Sequence, residues 1–393
     1  MSRSAAGNAL AALVALVVTA LLAEGVLRLV LPPRDRFYVN APGTHQTASI
    51  SPAVVRGVDS VVDYHINSAG IRGPAFGSDA GEYRILTVGG STTECLLLND
   101  DQAWPALLAS ALPRTGDGRH AWVGSVGRSA MTSREHVLHL KYLLRQYPRI
   151  DAVVVLTGVN DMLSALRQGD EYLMPRPITD RIAERADMRR AFVVAPHMDE
   201  LPVDSVPLPW YKRTALYDVA RRARLARSAR GTFDIDPQGG LVMARRKRSV
   251  TTLTDTLPPL ALPLAEFRRN LEAMTRIAFA RHVRLIFVTQ SSAWRANMSA
   301  AEQRDLWLGW QGAGWQEATQ YFSPAALDNA MVSYNAELRR LCARRSVECV
   351  DAASVIPKSA ANFYDDVHFT RAGAHALAAV LAGALAKEPP FVQ

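Results

Sequence analysis

The stretch Tyr83-Arg84-Ile85-Leu86-Thr87-Val88-Gly89-Gly90-Ser91 decides the expected fold. Its apolar, β-rich run predicts a buried strand, and the two glycines at its end permit a sharp turn that presents Ser91 at the start of a helix. A helical segment follows at residues 103–112, and a second short strand is predicted at residues 121–126. A strand, a tight turn and a helix in succession are typical of α/β proteins.

The same alternation continues along the chain. A helical period at residues 133–147, with Ser133 as its expected N-cap, precedes a strongly apolar strand at residues 151–157. Further helices are predicted at residues 264–281, 329–344 and 371–386, and further strands at residues 283–289 and 347–350. Strands that alternate with helices predict a parallel sheet covered on both faces.

The N-terminal residues 9–31 are almost wholly apolar, interrupted only by Glu24 and Arg28. A helix over them would be about 34 Å long, enough to cross the hydrocarbon core of a membrane. Glu24 and Arg28 are spaced to pair, and Pro32-Pro33 is expected to end the helix. A cleaved signal peptide is the alternative, but its apolar region would be long and no clear cleavage site follows. We therefore expect a retained signal-anchor, a single transmembrane helix.

Composition suggests three regions. Residues 1–33 would form a cytoplasmic stub and the anchor, and residues 34–80, rich in Pro, Gly, Ser and Asn, a tether with a small extended segment. Residues 81–393 would form the α/β domain. The regular alternation of strands and helices breaks down within this domain at about residues 162–262, where prolines and arginines are frequent. We interpret this stretch as an insertion or lid.

The chain of 393 residues carries a formal net charge of +8, with basic clusters such as residues 245–248. These clusters indicate either solvated helix faces or contact with an anionic surface. Grooves that bind single-stranded nucleic acid interleave aromatic residues with basic ones. This chain has no such stretch, so no nucleic-acid partner is expected.

The three cysteines do not form a Cys-x-x-Cys pair, which argues against structural zinc. Cys342 and Cys349 could form a disulfide where a helix end meets the next strand, or they could be two buried thiols. Cys95, four residues after Ser91, is interpreted as a packing residue.

Four polar, mostly glycine-bearing stretches follow or flank the predicted strands, at residues 89–94, 125–129, 158–161 and 365–368. Ligands of parallel α/β sheets bind at the carboxyl ends of the strands. Each stretch alone could be an ordinary turn, a phosphate-binding loop or a helix cap. Their convergence on one edge of the sheet predicts a functional site.

The residues in these stretches suit acyl transfer. Ser91 would be the nucleophile, His368 the base that takes its proton, and Asp365 the carboxylate that orients the imidazole and stabilises its cation. The tetrahedral intermediate needs donors for its oxyanion, and the Ser91 N–H, the Gly127 N–H and the Asn160 side-chain amide can supply them.

A metal site was considered at Asp365, Asp366 and His368, but no second histidine cluster supports it. His136 and His139, three residues apart on a predicted helix, are interpreted as part of a solvated face. The histidine pattern therefore gives no support for a metal site.

The combination of motifs resembles the SGNH (GDSL-like) serine hydrolase family over residues 83–388, with residues 162–262 poorly matched. Gly90-Ser91 is similar to the first family block, with Gly90 where Asp is commonest. Ser125-Val126-Gly127 is similar to the second, N-x-G, with Ser125 in place of Asn. Gly158-Val159-Asn160-Asp161 and Asp365-Asp366-Val367-His368 match the G-x-N-D and D-x-x-H blocks in full. Residues 67–73, Asn-Ser-Ala-Gly-Ile-Arg-Gly, resemble a lead-in of membrane-anchored members.

The resemblance implies a flavodoxin-like three-layer α/β/α sandwich and ester hydrolysis with no metal or organic cofactor. It implies acyl, often acetyl, ester substrates, frequently on carbohydrates. We therefore expect an esterase acting on a small-molecule or glycan ester of the cell envelope, with an extracytoplasmic catalytic domain, periplasmic or at the cell surface.

Two alternatives remain open at this stage. The first is an O-acyltransferase with the same triad. The second is a catalytically silent scaffold in polysaccharide assembly, suggested by the departures at Gly90 and Ser125. Trp307, Trp310 and Trp315 could stack on sugar rings or serve in packing.

Overall fold

The computed structural model describes residues 3–30, 36–178, 181–195, 209–228, 230–236 and 238–391. Its strands are β1 (His45–Ser49), β2 (Val61–His65), β3 (Glu82–Gly89), β4 (His120–Ser125), β5 (Ala152–Leu156), β6 (Arg230–Asp234), β7 (Thr252–Thr254), β8 (Arg284–Val288), β9 (Gln320–Phe322) and β10 (Glu348–Val350).

Its helices are α1 (Arg3–Val30), α2 (Ser91–Glu94), α3 (Trp104–Ala111), α4 (Ser133–Gln146), α5 (Val159–Gln168), α6 (Arg181–Ala191), α7 (Ala215–Ser228), α8 (Gly240–Val250), α9 (Ala261–Phe279), α10 (Ala300–Gln303), α11 (Pro324–Arg345), α12 (Ala352–Val355) and α13 (Arg371–Leu385).

The central sheet has five parallel strands in the order β4-β3-β5-β8-β10. Counted along the chain, this is the order 2-1-3-4-5, which is the flavodoxin-like arrangement. The predicted fold class is confirmed, and each predicted strand of this sheet begins and ends within one or two residues of its observed bounds.

Helices cover both faces of the sheet. Strand residues such as Leu86 and Val155 pack with α4, α5, α9 and α11 in one apolar cluster, and their neighbours Ile85 and Val154 pack with α3 and α13 in the other. No residue of β5 is more than 1% exposed. This double burial explains why β5 is apolar along its whole length and confirms three layers.

A second, three-stranded sheet has the order β2-β1-β6, with β1 antiparallel to β2 and parallel to β6. It joins the small extended segment at residues 34–80 to the insertion. A satellite core lies against it, formed by Ala48, Ile50, Val55, Val62 and Leu97. The insertion also contains α6, α7 and α8, so the expectation that regular structure fails there is wrong for its described part.

The N-terminal helix α1 contains a span, Gly7–Val30, that is long and apolar enough to cross a membrane. Arg28 and Glu24 pair at 2.7 Å as the spacing predicted. The Glu24 carboxylate also accepts bonds from the backbone N–H groups of Ala215 and Leu216, at the start of α7. Pro32 and Pro33, which were expected to end the helix, lie outside the described residues.

Two expectations about α4 are wrong. Its N-cap is Thr132, in a reciprocal capping arrangement with Glu135, and not Ser133. His136 and His139 are fully buried instead of solvated, because α9 and α6 pack against this helix. The His139 Nε2 atom lies 2.8 Å from the Ala191 carbonyl oxygen, and burial lowers the pKa of His139 to about 4, so the ring is neutral.

Cys342 and Cys349 form a disulfide, with their Cα atoms 6.0 Å apart. Of the two arrangements considered for them, the structure has the bonded one, where α11 ends and β10 begins. Cys95 is a buried free thiol at the end of α2, in agreement with a packing role.

Candidate active site

Ser91 begins α2 directly after β3, as the Gly89-Gly90 turn predicted. A Cβ atom on Gly89 would lie 2.7 Å from the Leu156 carbonyl oxygen of β5. A Cβ atom on Gly90 would lie 2.4 Å from the Asn160 amide nitrogen. A side chain on Gly89 would therefore clash with the backbone of β5, and one on Gly90 would displace the Asn160 amide. Gly90 thus gives Asn160 room beside Ser91.

The three predicted triad side chains form one hydrogen-bonded chain. The Ser91 Oγ atom lies 2.8 Å from His368 Nε2, and His368 Nδ1 lies 2.7 Å from Asp365 Oδ2. The other carboxylate oxygen, Oδ1, accepts bonds from the backbone N–H groups of Val367 and His368. These bonds hold the loop in the turn that lets residues three apart meet. With Nδ1–H donated to Asp365, Nε2 is free to accept the Ser91 proton.

The charges of the triad favour an ionised Asp365. Burial raises the pKa of its carboxyl, but the facing His368 and the hydrogen bonds outweigh burial and leave the pKa below its ordinary value of 3.8. Burial lowers the pKa of His368, whereas the charge and hydrogen bond of Asp365, with smaller contributions from Asp366 and Glu94, leave it above 6.5. A strengthened base beside a serine hydroxyl is what nucleophile activation requires.

Trp307 holds Asp365 from outside the triad. Its indole Nε1–H donates to Asp365 Oδ2 at 3.0 Å, so this oxygen accepts from two side chains. We interpreted Trp307 from its sequence as a stacking or packing residue. No sequence signal indicated the contact, because Trp307 and Asp365 are 58 positions apart.

Asp366 is a buried neighbour of the triad that points elsewhere. It accepts bonds from Trp294 Nε1 at 2.8 Å and from the backbone N–H groups of Trp307 and Leu308. Burial raises its pKa, with a further contribution from Asp365. The residue therefore ties the Trp307 segment to the triad loop. Across the part of the chain that is described, no group of three or more His, Cys, Asp and Glu side chains could hold a metal ion.

Gly127 packs tightly behind the nucleophile. A Cβ atom there would lie 2.4 Å from the Glu94 backbone nitrogen, so only glycine fits against α2. Its N–H donates to the Ser125 hydroxyl at 3.2 Å, and that hydroxyl in turn lies 3.4 Å from the Thr93 carbonyl oxygen. Ser125 thus links this loop to α2. The Gly127 N–H points at a protein acceptor, and its oxyanion role stays a prediction.

Asn160 lies in the first turn of α5, which follows Gly158 at a φ of +120°. Its side-chain amide donates to the Met131 carbonyl oxygen at 2.8 Å. A primary amide has two N–H donors, so the second remains for an oxyanion. The neighbouring Asp161 accepts bonds from the Ser133 N–H and hydroxyl. Burial raises the pKa of Asp161 to about 7, and this contact joins α5 to α4.

Arg72 lies in the stretch at residues 67–73, and its side chain holds the backbone of the segment that follows Ser91. Its guanidinium is 5% exposed and donates to the carbonyl oxygens of Glu94, Cys95 and Leu98, and to the carboxylate of Asp100. The three carbonyls belong to the last residue of α2 and to two residues of the segment that follows it. The lead-in therefore has a structural role: it fixes the chain just after Ser91.

A cavity of about 500 Å³ opens on the Ser91 and His368 side chains. Its remaining lining comes from the segment after α2, the loop after β4, the insertion, and the segments that contain Trp307 and Tyr364. These residues are Leu96, Leu97, Ser129, Ile235, Gly240, Leu241, Ala244, Trp307, Trp315, Gln316 and Tyr364.

No protein-family model and no curated protein matches the sequence. Among solved structures, the chain is similar to Axe2, an acetylxylan esterase from Geobacillus stearothermophilus, with 14% identity over 80% of this chain and 99% of that one, at a TM-score of 0.41. It is similar to a lipolytic protein of the G-D-S-L family from Veillonella parvula DSM 2008, with 8% identity, coverages of 78% and 99% and a TM-score of 0.40.

A further similarity is to LAE5, an alpha/beta hydrolase enzyme from the metagenome of Lake Arreo, Spain, with 13% identity, coverages of 79% and 96% and a TM-score of 0.40. Because sequence identity and structural similarity are this low, only the positions of the side chains in the site support an interpretation of its chemistry.

Proposed function

We propose that the protein is a serine ester hydrolase whose nucleophile, base and orienting acid are Ser91, His368 and Asp365. The observation that carries the proposal is the continuous chain of short contacts from Ser91 Oγ through the imidazole to the Asp365 carboxylate, at 2.8 and 2.7 Å. This geometry is that of a serine hydrolase triad.

In the proposed reaction, His368 Nε2 accepts the Ser91 proton as Oγ attacks the ester carbonyl carbon. The tetrahedral intermediate collapses when the C–O bond to the alcohol breaks and His368 returns the proton to the leaving oxygen. Water, deprotonated by the same nitrogen, then attacks the acyl-serine and releases the acid. The N–H groups of Ser91 and Gly127 and the Asn160 amide would hold the oxyanion.

We further propose that the substrate is an acyl ester of an envelope or exported glycan; the family resemblance implies acetyl as the shortest acyl group, and the cavity at Ser91 bears on the length of the acyl chain. Helix α1 would anchor the chain as a single-pass membrane protein with the catalytic domain in the periplasm or at the cell surface. The Cys342–Cys349 disulfide supports such an oxidising location. The exposed Ser129 and Gln316 supply polar groups at the cavity for a sugar.

The test uses the full chain in detergent, incubated with a fluorescent fluorophosphonate and then with p-nitrophenyl acetate and butyrate. Labelling and turnover should both disappear in Ser91→Ala. They should persist in Ser110→Ala, a matched change of an exposed serine on α3. Unchanged turnover in Ser91→Ala would reject the nucleophile. A folded wild-type protein that neither labels nor turns over would indicate the silent scaffold.

An O-acyltransferase with the same triad is the second candidate. The observation that favours it is the limited exposure of the site: Ile235, in the turn after β6, and residues of α8 line the cavity, and the His368 side chain is only 17% exposed. Restricted water access favours transfer to a bound acceptor over hydrolysis. The products formed in the presence of a sugar oligomer distinguish hydrolysis from acyl transfer. Free acid as the only acyl product would exclude transfer.

A further inference from the structure

The cavity at Ser91 has a predominantly apolar wall. Leu96 and Leu97 follow α2, Ile235 follows β6, and Leu241 and Ala244 lie on α8. Leu97 is 8% exposed and Ala244 1%, so these two are the buried aliphatic residues of the lining. The most exposed lining residues, Ser129 and Gln316, are polar. The lining therefore changes from polar where it meets solvent to apolar inside.

This apolar wall is one side of a packed core and not a loose loop. Leu96, Ile235 and Leu241 pack against the satellite core, in which Leu97 is itself a member. The same core is held on the other side by β1 and β2. The wall thus exists because the insertion and the N-terminal small sheet pack together beside the catalytic edge.

Two arginines of the 245–248 cluster fix α8 in place. Arg245 donates to the backbone carbonyl oxygens of Val54, Asp305 and Tyr364, and Arg248 donates to those of Leu308 and Phe322. Arg248 is 4% exposed. These two arginines therefore have a structural role. The basic cluster by itself predicts either solvated helix faces or contact with an anionic surface, and neither applies to Arg245 and Arg248. They attach α8 to segments next to the triad, so the wall is preorganised.

From these observations we propose that the cavity is an acyl pocket for aliphatic groups longer than acetyl, with Ile235 and the α8 residues Leu241 and Ala244 as its selectivity elements. The proposal rests on the ester hydrolase function proposed above. A sugar leaving group needs polar partners, which the inner wall lacks, so the acyl chain is the part of the substrate that fits there. An acetyl group would fill little of about 500 Å³.

The expected signature is a rise in kcat/KM with acyl length. Burial of one methylene contributes about 0.8 kcal/mol, which corresponds to about a fourfold increase per methylene. The full chain should therefore prefer p-nitrophenyl hexanoate over the acetate by two orders of magnitude or so if four methylenes are fully buried. In a second series, acetyl esters with alcohol parts of increasing length should show no such rise.

Ala244→Phe tests the position of the pocket, because a larger side chain at this buried lining position would occupy the space proposed for the acyl chain. It should lower the hexanoate-to-acetate ratio of kcat/KM by about tenfold or more. Val242→Phe is the matched control on the same helix, since Val242 is 47% exposed and does not line the cavity, and it should leave the ratio unchanged. Leu241→Ala enlarges the pocket and should move the best chain length upward, which keeps the proposal testable if the phenylalanine variant misfolds.

The outcomes separate the two proposals. A ratio that rises with acyl length and falls in Ala244→Phe supports the acyl pocket. Acetate as the best substrate, or a rise only in the alcohol series, overturns the pocket and leaves the hydrolase intact. If no ester is turned over and Ser91 is not labelled by a fluorophosphonate in the folded protein, the hydrolase fails and the pocket fails with it.

Discussion

Trp307 donates its indole N–H to the same Asp365 oxygen that lies 2.7 Å from His368 Nδ1. Asp365 Oδ2 thus has a donor on each side, and the carboxylate cannot rotate without losing both bonds. The proposed triad therefore has a fourth residue that positions it, supplied by the segment between α10 and β9 and not by one of the four motif stretches.

Trp307→Phe should lower kcat/KM by roughly 10- to 100-fold, because a hydrogen bond to a buried charged group contributes about 1.5–3 kcal/mol. Loss of the donor also leaves more charge facing His368, which should raise the imidazole pKa and move the acidic limb of the pH–rate profile upward. A purely structural role would not move that limb. Trp310→Phe is the matched control, because the Trp310 ring stacks on Trp307 and its Nε1 has no hydrogen-bond partner among the described residues.

The pH dependence of hydrolysis follows from the His368 environment. The base must be neutral, and the Asp365 carboxylate outweighs burial to hold the His368 pKa above 6.5. Activity should therefore be low at pH 5, rise with pH and reach half its plateau above pH 6.5. A kcat/KM profile from pH 5 to pH 9 measures this, and a flat profile or a midpoint below 6.5 would contradict His368 as the base.

Arg72→Lys should weaken the protein and the site together. A lysine cannot reproduce the four bonds of the buried guanidinium, so the free energy of unfolding should fall by about 2–4 kcal/mol. The backbone carbonyls of Glu94 and Cys95 would be held less firmly in this variant, which should also lower kcat, on the order of tenfold. Thermal melting and ester kinetics of the purified variant report the two effects.

The control for Arg72 is Arg371→Lys, which alters an exposed arginine paired with Asp59 at 2.7 Å. Surface pairs of this kind contribute about 0–1 kcal/mol, so neither stability nor kcat should change measurably. Equal losses in the two variants would mean that the contacts of Arg72 have no special role.

Thiol counting tests the disulfide. Protein denatured without reductant should show one reactive thiol, that of Cys95, and three after reduction. Closure of this short loop should stabilise the fold by about 2–3 kcal/mol on the chain-entropy model, so reductant should lower the melting temperature. Three thiols in protein isolated from an oxidising compartment would contradict the pairing.

Much of the fold could be predicted because local signals and burial agree. The run at β5 is apolar at every position, as a strand covered on both faces must be, and helices such as α13 carry their own caps and period. The proximity of the proposed triad residues was also predictable, since Ser91 follows the carboxyl end of β3 and the Asp-x-x-His spacing places Asp365 and His368 in one loop before α13.

The features that escaped prediction depend on contacts between distant segments. His136 and His139 are polar residues on a helix, and only α6 and α9 make their face an interior one. Strand β6 itself contains Arg230 and Gly231, and it forms a strand by pairing with β1, some 185 positions away. Arg245 and Arg248 read as surface charges until the carbonyls that accept their bonds are known.

Asn160 provides the last prediction, because its role depends on which donors remain for an oxyanion. The Gly127 N–H already donates to Ser125, whereas the Asn160 amide has one N–H on Met131 and a second to spare. Asn160→Ala should therefore lower kcat by about 10²- to 10³-fold with little change in KM, since an oxyanion donor acts in the transition state. Gln168→Ala, which removes an exposed amide from the same helix, should change neither constant. If Asn160→Ala kept kcat within twofold, the backbone N–H groups of Ser91 and Gly127 would have to hold the oxyanion, and Gly127 could do so only by releasing the Ser125 hydroxyl.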